Sequence, residues 1–247
     1  MGTAIAVTSG KGGTGKTFLT AAVASCLAAL GYRAFCLDAD VGLRNLDIAL
    51  GLADRVMMDF SDVIEGRCRL QEAVTVHPEI PGLYLMAAPM QTRRMESKHW
   101  GLEKIIEEAK RQYDFCLIDC PAGLGSGFRE ATHCADRSIV VTTTDAASLR
   151  DAQQAVALLV EQKINPLHLV VNRVRPKHLR RIHRDLDDVM DAVGLPLLGV
   201  VPEDEKVILS ANQEIPLMLA GRGDAAIACL NIARRLTGQR VPLMRIR

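Results

Sequence analysis

Seven short runs of β-branched and apolar residues punctuate the chain: Ala4–Thr8, Ala34–Asp38, Leu83–Ala87, Phe115–Asp119, Ser138–Thr143, His168–Asn172 and Leu197–Val201. Within each run the apolar character is continuous rather than alternating, which predicts strands covered by helices on both faces. Helical spacing lies between them. Leu102, Ile105, Ile106 and Ala109 fall at i, i+3, i+4 and i+7, and Ala152, Ala155, Val156 and Leu159 repeat the pattern. Strand–helix–strand alternation predicts right-handed crossovers, a mostly parallel twisted sheet and a three-layer α/β fold. In such sheets ligands bind beyond the carboxyl ends of the strands. Polar signatures follow the proposed strands at Ser9–Thr17, Asp38–Asp47, Asp119–Gly125, Asn172 and Pro202–Asp204, so these segments are expected to share one rim.

The first of them carries the most specific chemistry. Gly10-Lys11-Gly12-Gly13-Thr14-Gly15-Lys16-Thr17 fits G-x-x-x-x-G-K-[ST], directly after a strand and directly before a helix. Glycines let the backbone curl so that successive N–H groups face one anion, and the helix adds its positive end. Lys16 is expected to reach the terminal phosphates of a nucleoside triphosphate, and the Thr17 hydroxyl to join a Mg²⁺ shell. Lys11 is an extra cation that cannot easily reach the same oxygens from the outer limb of the loop. It is either a solvated loop lysine or a group that reaches phosphate across a subunit interface.

Three carboxylates belong to the same rim. Asp38 and Asp119 end apolar strands and are expected to hold the metal's outer shell, while Asp40, one step further out, is placed to orient or deprotonate an attacking water. As an alternative, an aspartate at a strand end can simply cap a loop. Asn172 ends another strand with one donor and one acceptor, which suit adenine N6 and N7, although it could equally be an ordinary turn residue.

Composition changes this picture little. The 247 residues are 49% hydrophobic and 24% charged with a net charge of +1, which excludes global disorder and gives no global argument for a polyanionic partner. One domain over residues 1–240 with a short basic and apolar tail, residues 241–247, is expected. The 7 cysteines form no C-x-x-C pair and follow no export signal, so reduced thiols and a cytoplasmic location are expected. The Leu19–Leu30 stretch is too short to cross a bilayer.

The loop K-G-G-T-G-K-T with its leading Lys11 resembles the deviant Walker A loop of the MinD/ParA ATPases. The resemblance spans about residues 2–240. It implies a P-loop NTPase fold, an ATPase using ATP and Mg²⁺, and an ATP-dependent homodimer in which Lys11 contacts the partner's nucleotide. Phe18 departs from the family pattern, where a threonine hydroxyl commonly helps hold the α-phosphate. Its backbone N–H survives, so the expected cost is one neutral hydrogen bond. The segment Asp38-Ala39-Asp40-Val41-Gly42-Leu43-Arg44-Asn45-Leu46-Asp47 looks like the MinD side of the family, and the Pro-Gln pair typical of ParA proteins is absent. Asp119-Cys120-Pro121-Ala122-Gly123 matches the switch II segment. By resemblance Asn172 and Arg173 contact adenine, and Pro202-Glu203-Asp204 completes the base pocket. On the MinD side the resemblance further implies MinC- and MinE-type regulators and a role in placing the division septum.

Two other readings on the same scaffold are a ParA-type DNA-associated segregation ATPase and an iron–sulfur carrier ATPase. The second wants a C-x-x-C pair. The first could use the basic stretch Arg173, Arg175, Lys177, Arg180, Arg181 and Arg184, but Asp185, Asp187, Asp188 and Asp191 follow at once. Read as one charge-balanced helix, the stretch argues against nucleic acid. His178 and His183 are wrongly spaced to share a metal on a helix. For the tail, burial of a few apolar side chains roughly balances the cost of ordering the segment, so only a weak peripheral membrane contact is expected of it.

Overall fold

A computed structural model describes residues 1–90, 101–181 and 185–244. The elements run β1 (Thr3–Thr8), α1 (Lys16–Ala29), β2 (Ala34–Asp38), α2 (Leu46–Ala49), a 3₁₀ turn (Ala53–Arg55), α3 (Phe60–Ile64) and α4 (Leu70–Ala73). They continue with β3 (Thr75–Val76), β4 (Leu83–Met86), α5 (Leu102–Gln112), β5 (Phe115–Asp119), α6 (Ser126–His133), β6 (Arg137–Thr142) and α7 (Ala146–Glu161). The last third contains β7 (Leu167–Val174), α8 (Pro176–Arg181), α9 (Leu186–Val193), β8 (Leu197–Pro202), α10 (Glu205–Asn212) and α11 (Asp224–Leu236).

The strands form one eight-stranded sheet in the order β3-β4-β2-β5-β1-β6-β7-β8, parallel except for the β3–β4 pair. Helices cover both faces. Ile5, Val7, Cys36 and Leu117 face α1 and α11, whereas Ala4, Ala6, Phe35 and Ile118 face α5. Strand residues are buried on both sides, which is why the apolar runs are continuous. The helical spacing also follows burial: Leu102, Ile105, Ile106 and Ala109 are buried in α5, as are Ala152, Ala155 and Leu159 in α7. The central strands β1, β2, β5 and β6 all end on one rim. Asp38 and Asp119 are direct register partners there, and a parallel sheet with neighbouring strands about 4.8 Å apart brings their side chains together.

The seven anticipated strands form, Ala34–Asp38 and Phe115–Asp119 with the anticipated ends and the other five with ends shifted by one or two residues. The eighth, β3, spans Thr75–Val76 and is too short to show a period. The basic and acidic stretch does not form one helix. Pro176–Arg181 is α8, and Asp185 starts α9 as its N-cap, accepting from the Asp188 N–H at 2.9 Å while Asp188 accepts from Asp185 N–H. The acids therefore belong to a separate helix start, where its dipole favours them. His183, Arg184 and the side chains of His178 and Arg180 lie outside the described residues.

All seven cysteines are free thiols. Among the described residues, no helix is long and apolar enough to cross a membrane. Past α11 the chain is tied back to the body. The Arg235 guanidinium donates to Val241 O at 3.0 Å, Pro242 O at 2.7 Å and Leu198 O at 2.8 Å. Met244 packs against the core, and residues 245–247 lie outside the described residues.

Candidate functional site

β1 delivers the chain to the rim and α1 takes it away. Between them Gly13 and Gly15 adopt φ of 82° and 92°, the left-handed region that glycine enters without penalty. Gly10 is required for a different reason: a Cβ there would lie 2.0 Å from Asp151 O. The Ser9 hydroxyl donates to Lys11 O at 2.6 Å and closes the entry to the loop. α1 begins at Lys16, and no acidic residue in its first turn opposes the positive end of the helix. Lys16 is only 7% exposed, whereas Gly12 and Gly13 stand in solvent and Thr17 and Phe18 are half-buried. The loop has the shape of an anion cradle, with Lys16 as its inner cation.

Asp38 and Asp119 are each about 1% exposed. Burial, then each other's proximity in the case of Asp119, pushes both carboxyls well above their usual range. Asp38 also organises the loop after β2: its oxygens accept from Asp40 N–H at 2.9 Å and Leu46 N–H at 3.1 Å. The loop-capping role is therefore present in the structure. Asp119 takes a long bond, 3.4 Å, from the Thr20 hydroxyl, and the neighbouring Thr17 hydroxyl and Lys16 charge draw its pKa back down. Asp40 is half-buried beyond the strand end, raised by burial and eased by Lys16. Two crowded anionic oxygen donors beside a threonine hydroxyl suit a hard divalent cation that keeps water ligands. Among the described residues no cluster of three or more His, Cys, Asp or Glu forms a protein-only metal cage.

Lys11 faces the other way. Its ammonium pairs with Asp145 at 3.3 Å, with side chains 39% and 54% exposed. Asp145 is the N-cap of α7: it accepts from Ser148 N–H at 3.0 Å and from the Ser148 hydroxyl at 2.7 Å. Burial would raise its carboxyl, but hydrogen bonds from Thr143, Ser148 and Lys11 hold it well below the usual range. A cavity of about 440 Å³ opens here between the loop's outer limb, Thr143–Asp145, and Arg173, Arg175 and Glu203. Asp145 and Thr143 were missed from sequence. The available signal was D-x-x-S after the sixth strand, which is an N-cap pattern.

On the far side of the loop, Phe18, Asn172, Pro202 and Glu203 come together around a cavity of about 170 Å³ with Gly15, Arg173 and Val207. Phe18 also lines an adjoining apolar groove of about 350 Å³ with Ile48, Ile208 and Leu217. Glu203 is engaged by Arg175, one guanidinium nitrogen lying at 2.6 Å. Asn172 is 2% exposed, and its two polar atoms, expected to face a base, are bonded to Thr14 O and Arg173 N–H.

The CobQ/CobB/MinD/ParA nucleotide binding domain model matches residues 5–217. The septum site-determining protein MinD of Bacillus subtilis is 40% identical over 247 residues, covering 98% of this chain and 92% of that protein. A putative MinD of Nephroselmis olivacea is 42% identical, covering 95% and 86%. Among solved structures, MinD in the MinC:MinD complex of Aquifex aeolicus superposes with TM-score 0.89 at 34% identity, covering 98% of both chains. MinD of Pyrococcus horikoshii, solved with Mg-ADP, gives 0.85 at 28% identity, covering 96% of both. The chain belongs to the CobQ/CobB/MinD/ParA family of nucleotide-binding P-loop ATPases. Within that family its kinship is MinD-like, ahead of the ParA-type and iron–sulfur carrier alternatives.

Proposed function

We propose that the chain is an ATP-driven dimerisation switch that helps to place the division septum. The observation that carries this reading is the division of the two loop lysines, Lys16 buried inside the cradle and Lys11 half-buried on its rim, its ammonium paired with Asp145. Gly10, Gly12, Gly13, Thr14 and Gly15 wrap their amides around the β-phosphate, and Lys16 bridges to the γ-phosphate. Thr17, Asp38 and Asp119 would hold Mg²⁺, which would supply neutralisation of phosphate charge. Phe18 offers its backbone N–H to the α-phosphate. Pro202 and Glu203 bound the nucleoside side, with Asn172 buried at its edge.

Asp40 keeps contact with solvent and feels the Lys16 charge, and it orients the attacking water. Lys11 swings from Asp145 to the partner's nucleotide, where an added cation stabilises charge as the γ-phosphoryl leaves. Cations supplied in trans in related reactions are worth ~10³–10⁵ in rate. Hydrolysis removes the γ-phosphate that joins the two copies, and the dimer falls apart. MinC- and MinE-type proteins are the partners expected to read the dimer; the solved MinC:MinD complex supports the first of these. A weak peripheral contact with the inner face of the cell membrane fits the basic and apolar tail.

The test is nucleotide titration with and without Mg²⁺, followed by sedimentation. The reading requires Mg²⁺-dependent binding of ATP and ADP and a dimer with ATP alone. Absence of nucleotide affinity would end it.

A further inference from the structure

The loop between β2 and α2 carries Asp40 and is closed at both ends on one carboxylate. Asp38 accepts from Asp40 N–H at 2.9 Å and from Leu46 N–H at 3.1 Å, so the chain must reverse between these two points. Two left-handed residues lie within the reversal, Gly42 at φ 91° and Arg44 at φ 40°. Glycine enters that region freely. A non-glycine residue is uncommon there and persists only where its surroundings hold it.

What holds Arg44 is Asp47. Arg44 Nε donates to Asp47 Oδ2 at 2.6 Å, with side chains 15% and 6% exposed. Asp47 is a fixed post: its other oxygen accepts from Ile48 N–H at 2.8 Å and its carbonyl from Leu52 N–H at 2.8 Å. Leu46 and Leu50, on either side of it in sequence, are fully buried in the core. Arg44 in turn donates its own N–H to Asp40 O at 3.1 Å, joined by Leu43 N–H at 3.3 Å. The ion pair is thus one hydrogen bond removed from Asp40. Among the described residues the Asp40 carboxyl accepts no hydrogen bond. Its place beside Lys16 therefore follows from its backbone, held at the N–H by Asp38 and at the C=O by Arg44.

From this we infer that Arg44 and Asp47 are positioning residues for hydrolysis: their buried ion pair holds the left-handed turn that places Asp40. The inference rests on the reading of Asp40 given above. Neither side chain need touch the nucleotide. A water-orienting carboxylate works only within hydrogen-bond reach of that water, and a small shift of its backbone is enough to lose the reach. Nucleotide binding, which belongs to the loop between β1 and α1, is indifferent to the same shift.

The experiment is a double-mutant cycle in single-turnover ATP hydrolysis, with ATP affinity measured alongside. Asp47→Asn is close in size and removes the charge; Arg44→Gly removes the guanidinium and leaves a residue that suits the backbone. Each should slow turnover by roughly 10- to 100-fold, the scale of an ångström's misplacement, at unchanged ATP affinity. The double variant should lose no more than the worse single one. Combined with Asp40→Ala, neither substitution should slow turnover further, because no carboxylate remains to be placed; a general loosening of the fold would slow it again. Wild-type turnover in either single variant, a matching loss of ATP affinity, or a further drop in the Asp40→Ala background overturns the inference. Amide hydrogen exchange without nucleotide supplies a readout independent of turnover. Both variants should speed exchange at Asp40 and Arg44 while leaving β2 protected, and unchanged rates also overturn it. Unimpaired turnover of Asp40→Ala alone would instead break the underlying reading of Asp40, while the exchange measurement would still decide whether the pair holds the loop.

Discussion

The inner and outer limbs of the phosphate loop are built by opposite rules. On the inner side Thr14, Lys16, Asp38, Asp119 and Asn172 are all at most 7% exposed, and Asp38 and Asn172 hold backbone groups of Asp40, Leu46 and Thr14. On the outer side Lys11 meets Asp145 with 39% and 54% of their side chains in solvent, and Arg175 meets Glu203 at 66% and 36%. Leaving a buried polar group without its partner costs about 1–3 kcal/mol, and more for a charged one, whereas exposed pairs are worth about 0–1 kcal/mol. The inner limb is therefore set by folding. The outer limb is held only loosely, and a second molecule can rearrange it at small cost.

The contrast can be broken most severely at the water. Asp40→Ala should slow ATP turnover by about 10²–10⁴-fold, the usual worth of a positioned base, while ATP binding and dimerisation persist. Single-turnover assays with a dimer measurement check both halves, and unimpaired turnover removes Asp40 from the role. Next in size is Lys16→Ala. Losing the buried cation should weaken ATP by roughly 100-fold or more, given about 3–5 kcal/mol for breaking a buried charge contact, and calorimetry with normal affinity would contradict the inner limb as drawn.

Two smaller tests sharpen the same contrast. Phe18→Thr restores a hydroxyl next to the cradle and should tighten ADP by about two- to tenfold, as one neutral hydrogen bond allows. Weaker binding would instead mean that the ring packs on the nucleoside. Asp145→Asn keeps an N-cap while removing the charge facing Lys11. It should lower the ATP concentration for half-dimerisation by at most about fivefold, the limit of an exposed ion pair. A shift in the opposite direction would show that Asp145 serves the dimer rather than restraining Lys11.

What the sequence made legible follows the same division. Local patterns sufficed for β1, the glycine loop and α1, because strand, turn and helix start are contiguous from Thr3 to Ala29. Asp38 and Asp119 could be paired because each ends an apolar strand, and the register then sets them side by side. The Asn172–Thr14 and Lys11–Asp145 contacts span 158 and 134 residues. They depend on how β7 and α7 lie against the loop, which no local period encodes. The α8–α9 break is readable in principle, since Asp185 and Asp188 form a capping box, but net charge summed over the whole stretch hides it. The edge strand Thr75–Val76 offered too few residues to carry an alternation.

The most direct test of the central claim is sedimentation velocity of wild type and Lys11→Ala with ATP and with ADP, alongside ATP affinity. The account predicts that both proteins bind ATP comparably, and that only wild type with ATP sediments as a dimer. An ATP-dependent dimer of Lys11→Ala at wild-type concentrations would contradict it.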